Sequence, residues 1–283
     1  MSGARKVLEG FGEGLSQRWQ QLLRGTGQLD LVEPGLRFQL QGARADTYSN
    51  AQIDDYQGLA RRAFPWQPPL TLAVTARFSH PASELAGTAG FGFWNDPFLM
   101  TGIRVPTLPR AAWFFFASPP SDMKLDLEVP GHGWKAAVVD ALRPVALALV
   151  PVALPAILLM NSRRLYRTIW PPLQRSLHIK EASLPVDMSA WHTYRLQWEE
   201  RSARFSVSSG HEGQAEYILE ASSPQGPLGF VMWMDNQYLV ATPWGRLRWG
   251  TLGIPGNQWM EVSRLAIEPG RVDDDVGGAR QAS

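Results

Sequence analysis

Cysteine is absent from this 283-residue chain, which excludes disulfides, thiolate metal sites and thiol nucleophiles. A reducing, cytoplasmic setting is therefore the expectation, although many secreted bacterial proteins also lack cysteine. An excess of either charge is absent too: 27 basic and 26 acidic residues leave a net charge of +1, so there is no global basic field for nucleic acid. Histidine is scarce, and the five present (His80, His132, His178, His192 and His211) are scattered, with no pair at ligand spacing. No metal site is expected from them. No G-x-S-x-G elbow occurs, and GTGQLD near residue 25 lacks the strand–turn–helix setting of a dinucleotide fingerprint, so no cofactor is expected. The N-terminal run VLEGFGEGLSQRWQQLL is interrupted by glutamates and glycines, which argues against a signal peptide.

What is abundant is aromatic: 12 Trp, 12 Phe and 6 Tyr. Rings of this size fill cores, stack on sugars or wall apolar ligands. In the first segment, 1–30, Val7, Leu8, Phe11, Leu15, Trp19 and Leu22 recur at helical spacing and predict a short amphipathic helix and linker. The polar, Gly-rich end, 271–283, reads as a disordered tail. Between them, 31–270 is patterned as short strands separated by Gly and Pro turns. LTLAVTARFS (70–79) alternates, with Leu70, Leu72, Val74, Ala76 and Phe78 on one face. AGFGFW (89–94), AWFFFA (112–117), with Trp113 and Phe115, and MKLDLEV (123–129) follow, and the pattern resumes after 180 with a predicted hairpin, WHTYRLQWEE and ARFSVSSG. PLGFVMWMDNQYLV, RLRWG and WMEVSRLAIE complete an all-β reading: an antiparallel two-sheet sandwich, or jelly roll.

WHTYRLQWEERSARFSVSSG, AGFGFWNDP and the closing WMEVSRLAIEPG carry a resemblance to family 16 glycoside hydrolases and other concanavalin A-like lectin/glucanase domains, over roughly residues 35–270. That resemblance implies the sandwich fold and, in the hydrolases, a strand reading E-x-D-x-E, whose alternate carboxylates line a cleft. Here the nearest match is Lys124-Leu125-Asp126-Leu127-Glu128. Asp126 and Glu128 fit the last two positions, and Lys124 stands where the nucleophile belongs. A protonated amine cannot attack an anomeric carbon as a carboxylate does, so ordinary retaining hydrolysis is not expected. The alternative is that KLDLE is an amphipathic strand with a charged face.

A second constellation is WMDNQY, 233–238. Strand alternation sends Trp233, Asp235 and Gln237 one way and Met234, Asn236 and Tyr238 the other. Asp235, beside aromatics, is a candidate acid/base with a raised pKa; an outward, solvated Asp235 is the other reading. Trp94, Asn95 and Asp96 form a similar aromatic–polar cluster, for which a turn role is equally open.

Residues 135–180 break the pattern. They are rich in Ala, Leu and Val, and 144–160 carry no charge. A single span would put strands of one sandwich on opposite sides of a membrane, and Pro144, Pro151 and Pro155 would break a straight helix. Three readings stay open: helices forming an apolar lid, a peripheral membrane contact through 136–170 anchored by arginines and Trp170, or a protein interface, including a homo-oligomer. The resulting expectation is a non-glycosidase sandwich binding, or converting, an apolar or lipid-like small molecule, with Asp126, Glu128 and Asp235 as acid/base candidates. Trp94, Asn95, Trp113, Phe115, Lys124, Trp233, Asn236 and Tyr238 are the ligand-binding candidates. The alternatives are a family 16-type glycan-binding protein or hydrolase and a protein-interaction module.

Overall fold

The computed structural model describes residues 6–102, 105–210 and 213–270. The chain begins with strands, not a helix: β1 (Val7–Glu9), β2 (Gln20–Arg24), β3 (Gly27–Val32), β4 (Gly35–Gln41) and β5 (Asn50–Asp54). β6 (Leu70–Phe78), β7 (Thr88–Trp94), β8 (Arg110–Ala117), the two-residue β9 (Asp122–Met123) and β10 (Gly133–Asp140) lead to three helices, α1 (Pro144–Ala148), α2 (Val150–Leu159) and α3 (Arg163–Ser176). β11 (Lys180–Ser183), β12 (His192–Trp198), β13 (Ser202–Ser209), β14 (Ala215–Ser222), β15 (Gly229–Asp235), β16 (Gln237–Ala241), β17 (Leu247–Thr251) and β18 (Asn257–Pro269) follow.

One antiparallel sheet runs β14-β13-β12-β6-β18-β4-β3, with β1 added beside β18. The facing sheet runs β11-β10-β8-β7-β15-β5-β2, and a small third sheet joins β17, β16 and β9. The two large sheets pack face to face through the residues that alternation points inward. From one come Leu70, Leu72, Val74, Tyr194, Leu196, Trp198 and Leu265; from the other Phe91, Phe93, Phe114, Phe116, Met232 and Met234, all essentially without exposure. The predicted hairpin is present, with Tyr194 opposite Val207 and Leu196 opposite Phe205. The phase slip in the last strand is a register shift between Val262 and Arg264. His192 is a structural histidine: its Nε2 lies 2.9 Å from the Asp187 carbonyl.

Two expectations are corrected. No helix forms over 7–22. Val7, Phe11, Trp19 and Leu22 are buried as the periodicity implied, but Val7 pairs with Ile267, Leu22 pairs with Gln52, and Phe11 sits at φ 60° in a turn. Glycines at 10, 12 and 14 weaken a helix, and a free sheet edge supplies the alternative. The helical insertion is also shorter than 135–180. Residues through Asp140 extend β10, which pairs with β8 on one side and β11 on the other. Trp134, Ala136 and Val138 face the sandwich core while Ala137 and Val139 face the opposite side and are also covered. A strand buried on both faces reads as a continuous apolar run. Of the prolines expected to break a straight helix, Pro144 opens α1 and Pro151 lies in the first turn of α2, whereas Pro155 sits inside α2 without ending it. The expected tail, 271–283, lies outside the described residues.

Candidate functional site

The outer face of the second sheet is the floor of a cavity of about 600 Å³, roofed by α2 and α3. Alternation explains the floor. Along β7, Phe91 and Phe93 enter the core, which leaves Gly90 and Gly92 on the cavity side. In register, Gly90 lies between Phe115 and Trp233, and Gly92 between Trp113 and Val231. The glycines make room for their neighbours' rings. A Cβ on Gly90 would fall 2.9 Å from the Trp233 ring, and one on Gly92 would fall 2.6 Å from the Trp113 Cβ.

Trp94, Trp113, Phe115 and Trp233 therefore form a contiguous aromatic floor. Trp94 and Trp233 are nearly parallel, at 6°, with centroids 6.3 Å apart; Trp113 lies 5.8 Å from Trp94 and 5.7 Å from Trp233. The indole N–H of Trp94 donates to the Tyr56 hydroxyl at 2.6 Å, and that of Trp233 to Thr88 Oγ1 at 2.9 Å. Their polar atoms being satisfied by the protein, the rings offer the cavity apolar surface.

The roof follows from an amphipathic α3. Tyr166, Trp170, Leu173 and Leu177 recur at helical spacing on its inner side, and Trp170 Nε1 donates to the Leu125 carbonyl at 3.0 Å. Ala156 and Ile157 of α2, and Met160 just after it, complete the cover. At its start the roof is fastened by the fully buried Asp140, which accepts from Arg110 Nε at 2.7 Å, Arg143 Nε at 3.2 Å and the Gln225 N–H at 3.1 Å.

Among the described residues, Asp235 is the only carboxylate on the cavity wall. It ends β15, 4% exposed, on the same face as Trp233. Its Oδ1 accepts from Thr88 Oγ1 at 2.7 Å and from the Gln237 N–H at 3.0 Å. Burial pushes its pKa up to about 6, against the opposing pull of these hydrogen bonds. A carboxyl so placed keeps its proton to a higher pH than an ordinary aspartate and can donate or accept one in a water-poor space.

The other sequence candidates are distributed differently. Tyr238 lines the cavity although strict alternation pointed it away. The reason is a break at Asn236, where the chain leaves the main sheet and β16 begins in the small one. Asn236 is not on the wall. Its side chain accepts from the Ser49 N–H and donates to the Arg44, Thr47 and Leu252 carbonyls at 2.8–3.0 Å, which fixes this crossing. Asn95 has a turn role, donating to the Leu108 carbonyl at 3.0 Å and accepting from the Arg110 N–H at 2.9 Å.

The expected strand over 123–129 is corrected: only Asp122–Met123 is extended, so KLDLE presents no alternating face. Asp126 instead accepts the Glu128 N–H at 2.8 Å and the Gln174 amide at 2.7 Å. Those hydrogen bonds outweigh the effect of partial burial and hold its pKa below the usual value. Lys124 Nζ donates to the Leu127 and Val129 carbonyls, and Glu128 is exposed. None of the three lines the cavity. Beside them lies a pair the sequence did not single out, Lys135 and Glu181, 3.1 Å apart and both 2% exposed at the side chain. Burial raises the Glu181 pKa to about 7 and lowers that of Lys135. Gln52, Thr88, Met100 and Leu239 on the wall were also missed, being ordinary residues that only the tertiary fold brings together.

No protein-family model matches this chain, and no curated protein sequence does. Solved structures do resemble it. A Crh5 transglycosylase in complex with NAG superposes with a TM-score of 0.50 at 9% identity, over 95% of this chain and 86% of that one. The exoplasmic/lumenal domain of VIP36, in its Ca2+/Man3GlcNAc-bound form, gives 0.50 at 9% identity, over 95% and 89%. A structure described with the endo-acting O-glycanases of prominent members of the human gut microbiota gives 0.51 at 12% identity, over 93% and 98%.

Proposed function

We propose that this concanavalin A-like sandwich binds an apolar small molecule in the roofed cavity and that Asp235 acts on it as a proton donor or acceptor. The observation that carries the reading is the lining itself: an aromatic floor in which the Trp94 and Trp233 indoles are satisfied by the protein, a largely apolar roof and one buried carboxyl. A cavity of about 600 Å³ is of small-molecule size. Proton transfer to or from an unsaturated apolar substrate covers isomerisation and cyclisation, and both are served by a site that excludes water and carries one group able to exchange a proton. A glycosidase uses a pair of carboxylates across the scissile bond, and this wall provides one.

The test is titration of the full chain with the fluorescent polyene parinaric acid, read by energy transfer from the floor tryptophans. Saturable single-site binding is expected, and Ala156→Trp, which fills the cavity from the roof, should abolish it while leaving the melting temperature near that of the parent. Failure of parinaric acid to bind, or equal binding by Ala156→Trp, would sink the reading.

A second reading is glycan binding. It draws on the neighbours above, one solved with NAG and one with Man3GlcNAc, and on the capacity of Trp94 and Trp233 to stack on sugar rings. It predicts that oligosaccharides of N-acetylglucosamine or mannose bind the same floor and that Trp233→Ala removes the binding.

A further inference from the structure

The chain's near-neutral total hides a local imbalance. From Ala141 to Lys180 there are five arginines and one lysine with no acid, and from Asn236 to Met260 there are Arg246 and Arg248, again with no acid. These two stretches meet in space. The turn between β16 and β17 packs on the roof: Trp244 lies 5.0 Å from Tyr166, and the Trp244 carbonyl accepts from the Asn161 amide of the α2–α3 link.

This shared surface is unusually apolar. On α2, Val152, Leu154, Leu158 and Leu159 are each more than half exposed, and beside them Leu247 and Trp249 are 63% and 71% exposed. A ten-residue helix spans about 15 Å, half the thickness of a bilayer core, and no helix among the described residues is long and apolar enough to cross a membrane. Around this face stand Arg163, Arg164, Arg167, Arg246 and Arg248, all exposed, and no ion pair is seen for any of them among the described residues. Phe98, Val152 and Leu247 line the cavity and are themselves exposed, so its mouth opens on the same face.

We infer that this face docks on the surface of an anionic lipid bilayer. The α2 leucines and Trp249 would sit among the acyl-chain boundary, the five arginines would meet acidic headgroups, and the cavity mouth would face the lipid. Apolar side chains ringed by unpaired arginines, with an exposed tryptophan at the edge, match the chemistry of that interface. A second copy of this chain would bring its own arginines against these five. The inference deepens the cavity reading by naming the phase from which an apolar ligand would enter.

The test is flotation of the full chain with vesicles of phosphatidylcholine alone and of phosphatidylcholine mixed with phosphatidylglycerol. Binding to the mixed vesicles that weakens with added salt is expected. The double variant Leu154→Glu/Leu158→Glu, whose altered side chains are exposed and off the cavity wall, should abolish it without a change in melting temperature. Arg163→Gln/Arg167→Gln should lower partitioning roughly 25-fold, about fivefold per arginine. Ala156→Trp should float as the parent does, so loss of ligand binding and loss of docking are read separately. No flotation at low salt, or flotation untouched by the leucine changes, would overturn the inference. So would a dimer in sedimentation that the leucine changes dissociate, which would assign the face to a second copy.

Discussion

Replacing Asp235 by Asn should make the protein more stable above neutrality and leave it nearly unchanged in acid. The carboxyl has its pKa raised from 3.8 to about 6 by burial, so the native state favours its neutral form. A group of this kind contributes its stability fully below the unfolded value and loses it as pH rises through the folded one. Between pH 4 and 6 the loss amounts to about 3 kcal/mol for the change from 3.8 to about 6. Asparagine removes the charge while its carbonyl can still accept from Thr88 Oγ1 and the Gln237 N–H. Urea unfolding of parent and variant across pH 3.5 to 8 should give coincident midpoints at the acid end and a variant more stable by up to about 3 kcal/mol at pH 8, or about 5 °C in melting temperature. Asp55 and Glu181, both raised to about 7, titrate in the same range, but they are common to both proteins and cancel in the difference. A constant difference at all pH values, or a parent that is the more stable at pH 8, would refute the assignment of Asp235 as a carboxyl whose neutral form burial favours.

Gly90→Val would set a Cβ 2.4 Å from the Phe114 carbonyl and 2.9 Å from the Trp233 ring. It should cost at least about 2 kcal/mol by thermal unfolding, from strand displacement and overpacking, and weaken parinaric acid binding by disturbing the floor. Lys135→Met would leave Glu181 buried without its cation and should cost about 3–5 kcal/mol in urea unfolding at pH 8. The double change Lys135→Met/Glu181→Leu should recover most of that, because removing both members of a buried pair avoids the unpaired charge.

How much of this was legible in the sequence depended on how many environments each strand faces. β6 and β12 bury apolar side chains on one face and carry mostly polar or half-exposed residues on the other, so their alternation was plain. The hairpin of β12 with β13 could be read from it, while the pairing of β6 with β12, far apart in sequence, could not. The N-terminal segment misled because Val7, Phe11 and Trp19 are spaced as on a helix, yet each reaches the core from a strand or turn whose pairing partners lie far away in sequence. The stretch 124–128 misled for a local reason. Asp126 captures the backbone N–H groups ahead of it, the habit by which Asp favours turns over strands. Of the site, Trp94, Trp113, Phe115, Trp233 and Asp235 could be nominated because alternation set them opposite the core positions. Asn95 and Asn236 could not be separated from them, since a buried amide that ties loops together and one that meets a ligand have the same letter and the same neighbours.

The roof is a single uninterrupted piece of chain, 141–179, and it leaves and re-enters the sheet through two strands that pair directly, Val138 opposite Lys180. The sandwich beneath owes it no strand. Such an arrangement behaves as a cartridge in a socket: the segment can lengthen, shorten or change sequence while every pairing in both large sheets stays in register. Over generations, the same aromatic floor can be fitted to different guests by altering this one stretch, and in the laboratory a short turn joined between Asp140 and Lys180 should leave a foldable sandwich with its floor laid bare as an open groove.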